Sequence, residues 1–261
     1  IVVTPLTEYE RAYSVTLRPQ TQLISSVNKL SGNRAVFTFR SILTENDSMK
    51  KTLALAAKFA RYEGNILIQG ESGSGKEVLA QAIHNASRNA DGPFVVVNCA
   101  SIPRELFEME LFGYEASAFP GRAAEGKPGR FELADNGTLF LDEIESMSIQ
   151  VQTGLLTFLD DGMFYNMGST TEQKSSVRIV CATNESAEKL MKEKRLRLDF
   201  YNRIAGSVIR IPPLRERPQD IIDMAMHFLE KQQRSGEFTE ETLDYLSKQE
   251  WKGNTRELLK C

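Results

Sequence analysis

The chain has 261 residues, 41% of them hydrophobic and 26% charged, which fits one or two folded globular domains and excludes a disordered or collagen-like chain. Its 32 Lys and Arg against 35 Asp and Glu give a formal charge of -3, so bulk positive charge is not what would hold it on nucleic acid. No apolar run approaches the roughly 18 residues of a membrane span. The widely spaced Cys99, Cys181 and Cys261, with His84 and His227 far apart, read as reduced thiols of a cytosolic protein rather than a disulfide frame or a metal site.

The chain starts at Ile1 without a signal peptide, and Arg256 to Cys261 reads as a helix cut in mid-course. A fragment of a longer protein is therefore expected. Ile1–Val3 and Tyr13–Leu17 alternate or are β-branched, with Pro5 and Pro19 as punctuation, and suit two edge strands. Leu23, Ile24, Val27 and Leu30 follow at helical spacing, and Ser31-Gly32-Asn33 stops that helix. Residues 1–35 are then either the tail of an upstream domain with a linker helix or an extension packed on the main domain. Met49, Leu53, Ala56, Ala57 and Ala60 mark an amphipathic helix over 47–62.

Five apolar runs come next, each followed by a loop or helix: 66–68, 94–97, 138–141, 177–181 and 208–211. Such runs suit strands buried on both faces, so an α/β core over 36–212 with a five-stranded parallel sheet between helices is expected. Beyond Pro212-Pro213, Ile221, Ile222, Ala225, Phe228 and Leu229 share one helical face. A second helix is expected from Glu241 to Trp251 and a third from Asn254. Residues 213–261 therefore read as a small all-helical domain.

Gly70-Glu71-Ser72-Gly73-Ser74-Gly75-Lys76 follows the first of these strands and opens a helix. This is the phosphate-loop pattern in its required context. Glycines let the backbone wrap so that N–H groups point at phosphate oxygens, and the helix N-terminus adds a positive end. Lys76 supplies a point charge for the β- and γ-phosphates of ATP. Glu77 stands where many such loops have the Ser or Thr that touches Mg²⁺. The strand 138–141 ends in Asp142 and Glu143; Asp142 suits a Mg²⁺ ligand through water and Glu143 a group that polarises the attacking water. Asn98 and Asn184 end two further strands. Asparagine is a common turn former, but carboxyl ends of parallel strands also meet at the ligand crevice.

Together the segments 70–77, 98–100, 110–113, 137–144, 212–217 and 251–258 resemble the AAA+ P-loop ATPase domain of NtrC-like bacterial sigma-54 activators, over roughly Phe37 to Cys261. The resemblance makes Glu77 the usual residue at its position. It implies that Asn98 is the switch engaging the catalytic Glu143, that Asn184 and Arg256 are the two sensors, and that the helical domain is a lid. Arg197 and Arg203 match arginines that reach a neighbour's nucleotide, although on their own they also suit a solvated basic stretch. It further implies a hexameric or heptameric ring, a cytoplasmic transcription regulator that signals to RNA polymerase, a PAS-like sensory tail in 1–35, and DNA binding by a helix-turn-helix domain outside this chain.

Where the family carries its sigma-54 contact loop, Gly-Ala-Phe-Thr-Gly-Ala, this chain has Ser117-Ala118-Phe119-Pro120-Gly121-Arg122. Pro120 has neither hydroxyl nor N–H and a fixed φ, and Arg122 adds charge and bulk. Gly154 interrupts an expected helix at a cost of roughly 1 kcal/mol. Two functions follow: a ring ATPase that drives transcription, or an ATP-binding assembly module that no longer activates sigma-54.

Overall fold

The structure, a computed structural model, describes residues 2–5, 13–16, 28, 32–115, 126–231 and 238–261. Strands β1 (Val2–Pro5) and β2 (Tyr13–Thr16) pair antiparallel with each other, so the two expected edge strands form their own small sheet. The expected helix at 23–30 falls almost wholly outside the described residues. The segment that follows is tied to the core: Asn33 O accepts from Phe94 N (3.1 Å) and Gln81 Oε1 from Val36 N (2.9 Å).

Helix α1 (Asp47–Ala60) starts where the Asn46 side chain accepts from Met49 N, a cap for one of the orphan amides of a first turn. It leads into β3 (Ile66–Gln69), α2 (Lys76–Asn85), β4 (Phe94–Asn98), α3 (Arg104–Phe112) and the short pair β5 (Gly113–Tyr114) and β6 (Lys127–Pro128). Helix α4 (Arg130–Leu133) precedes β7 (Thr138–Asp142), and α5 (Ile149–Asp161) precedes the hairpin β8 (Met163–Tyr165) and β9 (Glu172–Lys174). Then come β10 (Arg178–Thr183), α6 (Ala187–Lys192), α7 (Leu198–Ile204) and β11 (Ser207–Arg210).

The five apolar runs pair in the order β11-β3-β10-β7-β4, every neighbour parallel. Successive strand side chains point to opposite faces, and the core divides on that rule. Leu67, Leu139, Leu141, Ile179 and Cys181 pack on one face with Phe107, Phe131, Phe158 and Phe200 from α3, α4, α5 and α7. Ile66, Ile68, Phe140, Val180 and Ile209 pack on the other with Met49, Ala56, Leu79 and Ile83 from α1 and α2. The layers are those expected, with helices on both faces of a parallel sheet.

The C-terminal region is helical: α8 (Pro218–Lys231), α9 (Glu240–Lys248) and α10 (Asn254–Leu258) enclose Leu214, Ile221, Leu246, Trp251 and Leu258. The second of these helices stops three residues short of the expected Trp251. Gln249 turns to extended backbone and Trp251 adopts φ +46. The indole is buried in the cluster and its N–H donates to the Leu246 carbonyl (2.8 Å), satisfying a helix-end acceptor that the next turn would have taken. Asp220, at the start of α8, anchors this region to the core by accepting from Thr44 Oγ1, Glu45 N and Asn46 N at 2.7, 2.8 and 3.1 Å. Among the described residues no helix is long and apolar enough to cross a membrane.

Candidate functional site

The carboxyl ends of β3, β7 and β10 lie side by side, and their polar residues converge there. After Gln69 the chain wraps through Gly70, Glu71, Ser72, Gly73, Ser74 and Gly75 into α2. Gly73 and Gly75 take φ +75 and +96, values that favour glycine. A Cβ on Gly73 would also stand 2.2 Å from the Gly253 carbonyl. The Ser74 hydroxyl is buried without a hydrogen-bond partner.

Lys76 is only 6% exposed. Its Nζ donates to the carbonyls of Gly70 (2.8 Å) and Glu71 (3.1 Å) and to Asn184 Oδ1 (2.6 Å). Burial pulls its pKa down, while Asp142, Glu145 and Glu143 pull it back toward the charged form. Asp142 shows the converse: burial raises its carboxyl pKa and Lys76 opposes the rise. Asp142 Oδ1 accepts from Glu143 N (2.9 Å), and Glu143 itself sits at φ +56, ψ +48. A left-handed conformation costs a non-glycine residue roughly 1–2 kcal/mol, and such strain gathers at functional sites. Glu77 is exposed and accepts from Gln81 Nε2 (3.1 Å).

Asn184, directly after β10, accepts from Lys76. Asn98 pairs in register with Asp142 across β4 and β7 but makes no hydrogen bond to Glu143. Its Oδ1 accepts from the N–H groups of Ala100 (2.9 Å) and Ser101 (3.1 Å) instead. Local turn chemistry takes the side chain that the resemblance assigned to a switch. Arg197 forks onto Asp199 (2.9 and 2.6 Å), which holds that carboxyl down at about 2. Arg203 pairs with Asp160 (2.7 Å). Neither arginine makes a side-chain hydrogen bond or ion pair to the phosphate loop of its own chain. The segment Ser117–Arg122 lies outside the described residues.

The helical region closes on the loop through Arg256 and through Arg215 and Asn254, to which sequence reasoning gave no role. Arg215 forks onto Glu71 (2.7 and 2.8 Å) and keeps that carboxyl below its ordinary pKa. Asn254 Nδ2 donates to Glu71 Oε2 (3.2 Å) and to the Ser72 carbonyl (3.1 Å). Arg256 Nη1 reaches Ser72 Oγ at 3.3 Å. Glu145 was also missed; its Oε1 accepts from Asn184 N and Nδ2. No motif marks Glu145, while Arg215 and Asn254 sit inside family motifs without a chemical cue to their partners. A cavity of about 410 Å³ opens beside the loop, lined by Gln69, Gly70, Glu71, Asn184, Glu185 and Arg210 among others.

Among the described residues no group of three or more His, Cys, Asp or Glu forms a metal cage. Mg²⁺ needs no such cage, because it binds through one or two carboxylates plus substrate phosphates and water, and Asp142 at the end of β7 is a carboxylate that fits that donor set. The orphan Ser74 hydroxyl and the ring of backbone around Lys76 suit a phosphate.

The family model described as sigma-54 interaction domain matches residues 42–210, and that described as AAA+ ATPase lid domain matches 215–261. The Nif-specific regulatory protein of Azospirillum lipoferum is 43% identical over 224 residues, 84% of this chain and 36% of that protein. The regulatory protein LuxO of Vibrio parahaemolyticus is 41% identical over 225 residues, 84% of this chain and 49% of that protein. NtrX from Brucella abortus, solved in complex with ATP, is 30% identical with a TM-score of 0.77 over 92% of this chain and 54% of that one. The chain spans about half or less of the length of the curated relatives it matches.

Proposed function

The chain belongs to the family of sigma-54 interaction domains, and on that premise we propose that it is the ATP-driven motor of a bacterial, cytoplasmic transcription regulator acting on sigma-54 RNA polymerase. The observation that carries this reading is the buried Lys76, whose three donors rest on loop carbonyls and on Asn184 beside Asp142 and Glu143. Arriving phosphate oxygens replace those carbonyls, and Ser74 Oγ gains the partner it lacks. Lys76 then sets its charge against the β- and γ-phosphates.

Asp142 would hold Mg²⁺, which when bound supplies charge neutralisation to the phosphates. Glu143 holds the attacking water and takes up its proton; Asn184 and Arg256 read the nucleotide state. Asn98 must leave its turn to engage Glu143, so its role is as a switch that is off in this arrangement. Arg197 and Arg203 serve a neighbouring subunit in a hexameric or heptameric ring. Their support is that both are held at the surface by aspartates of their own chain, away from their own phosphate loop. An arginine fork supplied in trans stabilises the charge that gathers on the departing phosphoryl oxygens and makes turnover depend on assembly.

The signal passes to the sigma factor through 117–122, and DNA is held by a helix-turn-helix domain elsewhere in the full protein. The alternative of an assembly module that has lost sigma-54 has less support, because the family match at 42–210 runs through the altered loop. The test is ATP turnover in three proteins. Lys76→Ala should abolish binding and turnover, and Glu143→Gln should bind ATP and not turn it over. Parent-rate hydrolysis by Glu143→Gln would remove Glu143 from its role.

A further inference from the structure

Asn184 sits between two side chains of opposite hydrogen-bonding character. On one side Glu145 Oε1 accepts from Asn184 Nδ2 (2.8 Å) and from the Asn184 main-chain N (3.1 Å). On the other, Lys76 Nζ donates to Asn184 Oδ1 (2.6 Å). A carboxylate accepts only and an ammonium donates only. Turning the amide over would set donor against donor and acceptor against acceptor, so its orientation is fixed by chemistry. The second Glu145 oxygen is buried with no hydrogen-bond partner. Keeping a carboxylate in that state costs free energy, and the hydrogen bonds to Asn184 are what offset it.

We infer that Glu145 is a positioning residue for ATP turnover, fixing the Asn184 amide so that Oδ1 faces the phosphate loop and Nδ2 faces Glu145. This rests on the reading of residues 70–76 as the ATP site. The consequence is chemical. Nδ2 gives one of its two N–H groups to Glu145, and the atom Asn184 aims at Lys76 is Oδ1. Asn184 there presents an acceptor, which can hold Lys76 and, once Lys76 turns to phosphate, an O–H of the attacking water. Asn184 then shares with Glu143 the orienting of water, and Glu145 acts only through Asn184.

The experiment measures kcat for ATP and ADP affinity by calorimetry in the full chain. Glu145→Ala should lower kcat by about ten- to a hundredfold, the worth of one hydrogen bond to a charged group. ADP affinity should stay within about twofold, the split expected when an interaction matters for turnover and not for uniform binding. Glu145→Gln keeps an acceptor toward Asn184 and should retain most of the turnover. Asn184→Asp sets two carboxylates together and should be inactive. Adding Glu145→Gln to Asn184→Asp removes one of the two facing carboxylates and lets the new side-chain amide donate to the other, at the loss of the acceptor for the main-chain N of residue 184. An oxygen still faces Lys76, and turnover should recover by at least about tenfold over Asn184→Asp alone. A merely structural Glu145 predicts no such recovery.

Parent-rate turnover in Glu145→Ala, or a double variant no better than Asn184→Asp, overturns the assignment. If Glu145→Ala does not fold, the Asn184→Asp pair decides. Lys76→Ala separates the two levels of the argument. Turnover surviving Lys76→Ala removes the ATP-site reading itself. A dead Lys76→Ala with silent Glu145 variants removes only Glu145.

Discussion

Replacing Asn254 with alanine should detach the helical region from the phosphate loop. Asn254 is fully buried (0% exposed) and its backbone sits at φ +52. Its Oδ1 accepts from Leu214 N (2.7 Å), and its Nδ2 donates to Glu71 Oε2 and to the Ser72 carbonyl. The variant leaves the buried Leu214 amide without an acceptor, a penalty of about 1–3 kcal/mol. Losing the two Nδ2 bonds, one of them to a carboxylate, removes about 1–2 kcal/mol more. Alanine in the left-handed region adds about 1 kcal/mol. The sum is about 3–6 kcal/mol, at the top of what single substitutions do. Guanidinium unfolding should show that loss, with a fall in melting temperature of roughly 10 °C for a chain of this size. Asn254→Gly tolerates the backbone and should recover about 1 kcal/mol and no more. A loss below about 1 kcal/mol in both variants would refute the clasp, since the remaining fork of Arg215 on Glu71 would then suffice.

Gly154 lies exposed in α5 with open space where a Cβ would go, so Gly154→Ala should stabilise by about 1 kcal/mol, read as a rise in melting temperature. His84 is 1% exposed against Thr138 Oγ1 (2.8 Å), and burial holds its imidazole below the ordinary 6.5. The unfolded chain therefore takes up a proton that the folded one refuses. Stability should fall as pH drops from 7.5 through 6.5 toward the folded pKa, and urea unfolding of His84→Gln should lack that slope between pH 7.5 and 5.5. Specific ATPase activity should rise with protein concentration, and mixing Arg203→Ala with Glu143→Gln subunits should restore turnover; activity flat with dilution and no recovery on mixing would reject a shared site. Combining Ser117→Gly, Pro120→Thr and Arg122→Ala should raise open-complex formation with sigma-54 polymerase. Full activation by the unaltered loop would refute the argument that Pro120 stiffens it.

The sheet was legible because its strands are buried on both faces, so Ile66–Ile68 or Thr138–Leu141 reads as an unbroken apolar run. The phosphate loop was legible because wrapping a phosphate demands glycines at fixed spacing. Contacts that depend on three-dimensional closure were not. Arg215 and Glu71 are 144 residues apart, Glu145 and Asn184 are 39 apart, and nothing in either local sequence names the partner. Trp251 misled in another way. Its apolar spacing fits a helix, but its side chain reaches the same cluster from beyond the helix end, where periodicity no longer describes the backbone. Asn98 shows a motif residue obeying the weaker, local rule of the two that applied to it.

The clasp between Asn254 and Glu71 spans 183 residues of chain, and that gives the site a history during synthesis. At about 5–20 residues per second a ribosome releases the phosphate loop roughly 10–40 s before the asparagine that fastens it. The sheet strands and Arg215 emerge within that interval, so Glu71 meets Arg215 first, while the Ser72 carbonyl and the Leu214 amide still lack the asparagine. Completion comes in one late step, when α10 docks and Leu214, Glu71 and Ser72 acquire their common partner together. A truncation just before Asn254 would hold the protein at the earlier stage, folded in its sheet and unfinished at its binding edge.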